Sequence, residues 1–251
     1  MVKPIKLIKL NRFMSVLHAV QAILVLLLAT NFALPVTASY LEFDEASQSL
    51  IPASKQLFEL RLVWLIAGFL IVSSLAHLVI STVYKQSYLR DIKNGINKAR
   101  WIEYSISASM MMVAISMLVG VYDASTLLAV FTLTAVMNLM GLVMEVHNQS
   151  TKKTNWLSYW IGCLAGVVPW LIVTIYFWVG SSEGSSPPQF VYWIFVSIFL
   201  FFNCFAINMY LQYKKIGRWS DYMYGEKVYV LLSLVAKSAL VWQVFAGTLR
   251  P

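Results

Sequence analysis

The chain of 251 residues is 59% hydrophobic and 12% charged, with a mean hydropathy of +0.71. A soluble domain carries about 25% charged residues, so this composition excludes an ordinary water-soluble globular protein and points to a chain that crosses a membrane several times. The net charge of +8 follows membrane orientation, as its positions show, and calls for no nucleic-acid surface.

Seven stretches approach the ~20 apolar residues that a helix needs to cross a bilayer. They cover approximately 12–34, 57–84, 98–120, 125–147, 155–179, 189–212 and 226–248. The first follows a basic segment, but from Phe13 to Leu34 it is longer than the h-region of about 7–15 residues in a signal peptide. It reads as a retained helix, although Val36-Thr37-Ala38 leaves cleavage open. Between Pro35 and Pro52, the alternation Tyr40-Leu41-Glu42-Phe43 predicts a short hairpin on the membrane face. The remaining connections are mostly short, as in a compact bundle. No internal repeat is visible, which argues against a transporter built from two matching halves. Pro169, with Gly166 nearby, predicts a kink in the fifth span. Cys163 and Cys204 lie inside apolar segments and read as packing residues rather than a disulfide or metal site.

Lysines and arginines set the orientation. Lys3, Lys6, Lys9 and Arg12, then Lys85, Arg90, Lys93, Lys98 and Arg100, then Lys152 and Lys153, then Lys214, Lys215, Arg218 and Lys227 all fall on one side. The other side holds only Lys55, Arg61 and Arg250, with Glu42, Asp44, Glu45, Glu59, Asp123 and Glu183. The expected topology has the N-terminus cytoplasmic and the C-terminus extracellular, in a multi-pass protein of the cell membrane. Seven-helix receptors coupled to G proteins and ordinary microbial rhodopsins run the other way, so both are excluded as straightforward readings.

Once the loops are removed, the ionisable residues left inside spans are His18, His77, Glu103, Glu145 and Lys237, with His147 at a helix end. Lys237 is the tenth residue of the nineteen in VYVLLSLVAKSALVWQVFA, Val228–Ala246. An ammonium at that depth costs at least ~2.5–3.5 kcal/mol and is too far from either interface to snorkel. It therefore needs a carboxylate, a neutral form, or a covalent modification. At ~1.5 Å per residue, Lys237 lies roughly 14 Å below the start of its span and Glu103 about 8–9 Å down the third. A lysine side chain of about 6 Å closes that gap if the two helices face each other, whereas Glu145 lies nearer the surface. A purely structural ion pair is one reading, yet buried pairs rarely repay their desolvation and intramembrane charge usually marks function. Ser107, one turn after Glu103, and Ser233, one turn before Lys237, offer hydroxyls to such a pair; intramembrane serines such as Ser105 and Ser109 also serve close helix packing. Trp160, Trp170, Phe202, Phe205 and Trp242 form an aromatic series on the last three spans. Alone it would be packing; beside a mid-membrane lysine it suits a long apolar polyene held as a Schiff base. A proton-coupled transporter would use the same pair without any such group. His18 and His77 sit at one depth, roughly 9–12 Å from the cytoplasmic surface, which suits a proton-accepting site.

The segments RWIEYSISASM in the third span and SLVAKSALVWQ in the seventh, in a chain with its N-terminus inside, resemble the heliorhodopsin family over essentially the whole length. The resemblance implies an all-α, seven-helix rhodopsin-like bundle in which residues 1–251 form one retinal-binding domain. It implies all-trans retinal carried on Lys237 as a protonated Schiff base, with Glu103 as counterion and Ser107 and Ser233 flanking them. It places His18 and His77 in a proton-accepting network, and Met137, Gly141, Trp160, Pro169, Phe202 and Trp242 along the pocket. It also implies a homodimer in membrane lipid, and the basic cytoplasmic loops suit an unidentified soluble signalling partner. Ordinary microbial rhodopsins usually place Asp four residues before the lysine; Ser233 stands there, leaving one strong counterion. The expected function is a photosensor or light-regulated signalling protein, not an enzyme and without net ion pumping, because the outer half beyond Lys237 has no acidic residue or histidine before the rim. A light-driven or light-gated proton transporter is the alternative.

Overall fold

The computed structural model describes residues 4–182 and 187–250; Lys3 and Glu183 of the charge pattern lie outside them. Among the described residues seven helices are long and apolar enough to cross a membrane. They are α1 (Pro4–Leu28), α2 (Leu62–Ser81), α4 (Lys98–Leu118), α5 (Ala124–His147), α6 (Leu157–Ser182), α7 (Gln189–Tyr213) and α8 (Tyr222–Val244). Strands β1 (Ala33–Asp44) and β2 (Ser49–Arg61) join α1 to α2, and a short helix α3 (Lys85–Lys93) joins α2 to α4. The bundle has an amino end, with the N-terminus and α3, and a hairpin end, with β1 and β2.

The hairpin is far longer than the four alternating residues suggested. It pairs without interruption of direction from Ala33 opposite Arg61 to Asp44 opposite Ser49, with one irregularity at Val36/Thr37. A two-stranded ribbon has two free edges, so Pro35 and Pro52 sit within it without breaking an interior ladder. This corrects both neighbouring spans: α1 stops at Leu28 rather than 34, and α2 begins at Leu62 rather than 57. The apolar residues Leu57, Phe58 and Leu60 that extend the hydropathy of α2 belong to β2. The α4–α5 connection pins the ribbon: Thr37 N donates to Tyr122 O (2.9 Å), and Ser39 N donates to Asp123 Oδ2 (3.1 Å). Val36 packs among Val113, Met117, Val121 and Leu127.

Helix starts follow local chemistry. Asn97 caps α4 by accepting from Arg100 N, Asp123 caps α5 through Ser125 N and Thr126 N, and Asp221 caps α8 through Met223 N. In α3, which hydropathy alone does not reveal, Tyr88 and Ile92 pack on Leu7, Ile8 and Ile80. The fifth span is one unbroken helix through Pro169. At its C-terminal end α8 passes into a π turn, Phe245–Leu249, whose last carbonyl accepts from Thr30 N at 2.8 Å. The hairpin-end half of the interior is a continuous apolar core, in which Val25, Leu62, Ile66, Phe69, Leu70, Met112, Ile115, Leu240, Val241 and Val244 are all buried. The amino-end half has smaller apolar clusters with buried polar and charged side chains between them, and the side chains described next lie there.

Candidate functional site

Lys237 of α8 meets Glu103 of α4 in the interior. The Nζ donates to Glu103 Oε1 at 2.8 Å and to Ser233 Oγ at 2.8 Å. Lys237 is 3% exposed and Glu103 6%, so the pair has little water to screen it. Ser233 stands one turn before Lys237, where the i, i+4 spacing of a helix brings the two side chains together. Tyr104, next to Glu103, puts its ring 5.2 Å from Nζ and donates its hydroxyl to Tyr229 O at 2.9 Å.

The hydroxyl that supports Glu103 comes from α2. Ser73 Oγ lies 2.6 Å from Glu103 Oε1 and 2.8 Å from its own helix at Phe69 O. Ser107, expected for that role, is fully buried and makes no protein hydrogen bond through Oγ among the described residues. It faces the cavity instead.

His18 and His77 come together, with ring centroids 5.7 Å apart and planes 9° from parallel. His77 Nδ1 is 2.6 Å from Asn11 Oδ1, while His77 Nε2 and both His18 nitrogens have no protein partner among the described residues. Ser15 and Ser74 tie α1 to α2 beside them by exchanging hydroxyl-to-carbonyl bonds of 2.9 and 2.8 Å. Asn11, Ser15, His18 and Gln21 recur at helical spacing, so one face of α1 presents a polar stripe to the interior.

A cavity of about 540 Å³ opens beside the ion pair, within the range of small-molecule sites. Ser107, Met137, Gly141, Phe202, Ser233 and Lys237 are on its wall. Trp160, Pro169 and Trp242 are not. Trp160 is 63% exposed on the outer face of α6, and Trp242 is 38% exposed with its ring 5.7 Å from that of Phe245. The face of α6 that does line the cavity runs through Gly162, Gly166 and Trp170, with spacings of four. Glycine matters at two of these contacts. A Cβ on Gly141 would run into the Trp101 ring, and one on Gly166 into the Met137 sulfur. Trp101 and Tyr104 close the amino end of the wall; both lie in the quoted α4 segment, but adjacency to Glu103 gave no sign of which ring turns inward.

A second charged cluster lies near the amino ends of α4 and α8 and the last turn of α5. Arg100 Nη2 donates to Glu145 Oε1 at 2.6 Å, and Arg100 Nη1 pairs with Glu226. Asn97 N and Trp101 Nε1 donate to Glu145 Oε2 at 2.9 and 2.7 Å, and Tyr222 OH to Glu145 Oε1 at 3.1 Å. The guanidinium carbon lies over two neighbouring rings, 4.4 Å from the centroid of Trp101 and 3.9 Å from that of Tyr229. Sequence position made Arg100 a loop charge and Glu145 a near-surface one; the structure buries both, with Arg100 4% and Glu145 1% exposed.

The arrangement offers a primary amine at the wall of a largely apolar cavity, one carboxylate to hold that nitrogen's positive charge, and aromatic rings around the space. An apolar aldehyde condensed on the amine would keep its cationic imine against Glu103. No curated protein matches the chain. The family model for heliorhodopsins matches residues 7–249. The chain therefore belongs to the heliorhodopsin family, and is a light-responsive, multi-pass membrane protein whose retinal chromophore is carried on a lysine as a Schiff base.

Proposed function

We propose that the protein is a photosensor without net ion transport, in which Lys237 holds all-trans retinal as a protonated Schiff base in the dark and Glu103 is its counterion. The observation that carries this reading is the buried Lys237–Glu103 pair, 2.8 Å apart, at the wall of a cavity of about 540 Å³. When bound, retinal supplies the light-driven isomerisation beside the Lys237 nitrogen. The chain's own residues do the rest. Glu103 holds the positive charge in place, Ser73 fixes the carboxylate oxygen that faces it, and Ser233 fixes the nitrogen. The His18–His77 pair gives a proton leaving that nitrogen an internal place to rest, since three of their four ring nitrogens have no protein partner.

Orientation and direction belong to the same proposal. The amino end faces the cytoplasm, as the excess of lysine and arginine there supports. The hairpin-end half is packed with Leu, Ile, Val, Phe and Met, which supports a proton staying on the cytoplasmic side of Lys237. The family resemblance supports a homodimer, and the basic amino end suits a soluble signalling partner.

The deciding experiment regenerates purified protein with all-trans retinal and records its visible spectrum, then adds hydroxylamine. A visible band that hydroxylamine bleaches, and that Lys237→Ala lacks, is the expected result. A wild-type band in the Lys237→Ala protein would overturn the assignment.

A further inference from the structure

Arg100, Glu145 and Glu226 bring two carboxyl groups and one cation into a site that solvent hardly reaches. The titratable side chains that approach it are Tyr88, Tyr104, Tyr213, Tyr222 and Tyr229. Phenols are neutral near pH 7, so none supplies a second positive charge. Asn97 and Trp101 add neutral donors only. With both carboxyls ionised, the cluster would carry one uncompensated negative charge out of water, a situation proteins avoid by leaving one of two neighbouring carboxyls protonated.

We propose that the cluster is a second proton site, in which Glu145 and Glu226 share one proton in the dark, and that Trp101 couples this proton to the cavity. The proton has two well-defined seats. Glu226 accepts from Arg100 and from Asn97 Nδ2 at 2.6 Å. Glu145 accepts from Arg100, Asn97 N, Trp101 and Tyr222, so it holds more donors and better tolerates the negative charge. Trp101 makes this balance responsive, because its indole lines the cavity, rests on Gly141 and donates to Glu145 Oε2 at 2.7 Å. A displacement of the ring takes one donor from Glu145, and the shared proton shifts towards a Glu145 oxygen. The proton stays within the pair, so none enters or leaves the cluster. The dark proton is independent of any chromophore; its response to light rests on the retinal reading above.

Infrared spectroscopy of the regenerated full-length protein tests both halves. At neutral pH the dark wild type is expected to show a carboxylic-acid carbonyl band that shifts in heavy water, moves on isotopic labelling of glutamate, and persists in Glu103→Gln. Both Glu145→Gln and Glu226→Gln should abolish it, because a single carboxyl opposite Arg100 has no excess charge to neutralise. Absence of the band from wild type, or its survival in either variant, overturns the shared proton, and the wild-type and labelled spectra decide the point even if a variant fails to fold. Illumination should shift the band in wild type, while Trp101→Phe should keep the dark band and lose the shift. A sample with a normal visible band whose carbonyl band ignores light overturns the coupling without touching the assignment of Lys237.

Discussion

A lysine ammonium in the middle of a membrane stays charged only while its carboxylate remains within hydrogen-bond distance, and here three residues from three helices hold that geometry. Lys237→Ala is expected to give a folded, colourless protein, since among the described residues no second lysine lines the cavity to take its place; absorbance at matched protein concentration checks it. Glu103→Gln removes the charge that stabilises a cationic imine, so a larger share of the pigment should absorb in the ultraviolet at neutral pH, and a titration curve superimposed on that of wild type would assign the counterion elsewhere. Ser73→Ala takes a donor from the same carboxylate. A hydrogen bond to a charged group contributes about 1.5–3 kcal/mol, and one pH unit corresponds to about 1.4 kcal/mol. The acid-induced colour change should therefore move to higher pH by roughly one to two units, read directly from a pH series of visible spectra.

Among the elements, the ribbon of β1 and β2 is tied to the bundle in part through Asp123. The Ser125 hydroxyl and then the Thr126 N–H, with Ser39 N, hold this carboxyl down at about 2. A carboxyl depressed on folding contributes stability above its ordinary value of about 3.9 and loses that contribution as pH falls towards about 2. Asp123→Ala should lower stability by about 1 kcal/mol at neutral pH, as the loss of a helix cap does. Its melting temperature should also fall less than that of wild type between pH 4 and pH 2. What could be read from the chain divides along similar lines. Lys237 and Glu103 stand out because each is a charge inside an apolar run, and helix spacing alone brings Ser233 to the lysine. Ser73 carried no such signal: serine is ordinary in a membrane helix, and only the packing of α2 on α4 turns it towards Glu103. Arg100 and Glu226 lie near helix ends, where charge is normally solvated, so their burial depends on how α4, α5 and α8 converge. The ribbon was foreshortened because Leu57, Phe58 and Leu60 extend the hydropathy of α2, and hydropathy does not distinguish an apolar strand from the first turn of a helix. For Trp160 and Trp242 the family resemblance and ring type suit a pocket wall, whereas which way an aromatic turns is set by a 100° step per residue around the helix.

At the scale of the whole molecule, the buried charged and histidine side chains gather on the amino-end side of Lys237, and the other side is filled mainly by the apolar core. Illuminating cells in unbuffered medium should therefore give no sustained pH change that an uncoupler abolishes; such a change would replace the sensor reading with a pump. The same division shapes the electric field. A polar, polarisable half supports little of a transmembrane voltage, so most of the drop falls across the apolar half between Lys237 and the hairpin end. A full crossing of one elementary charge is worth about 2.3 kcal/mol per 100 mV, but a proton passing between Lys237 and the His18–His77 pair moves only through the half where the voltage changes least. Flash-induced charge displacement under voltage clamp should thus be a small fraction of an elementary charge, and the rate of dark recovery should hardly respond to the applied potential. The protein would report light in the same way whether the cell is energised or depolarised.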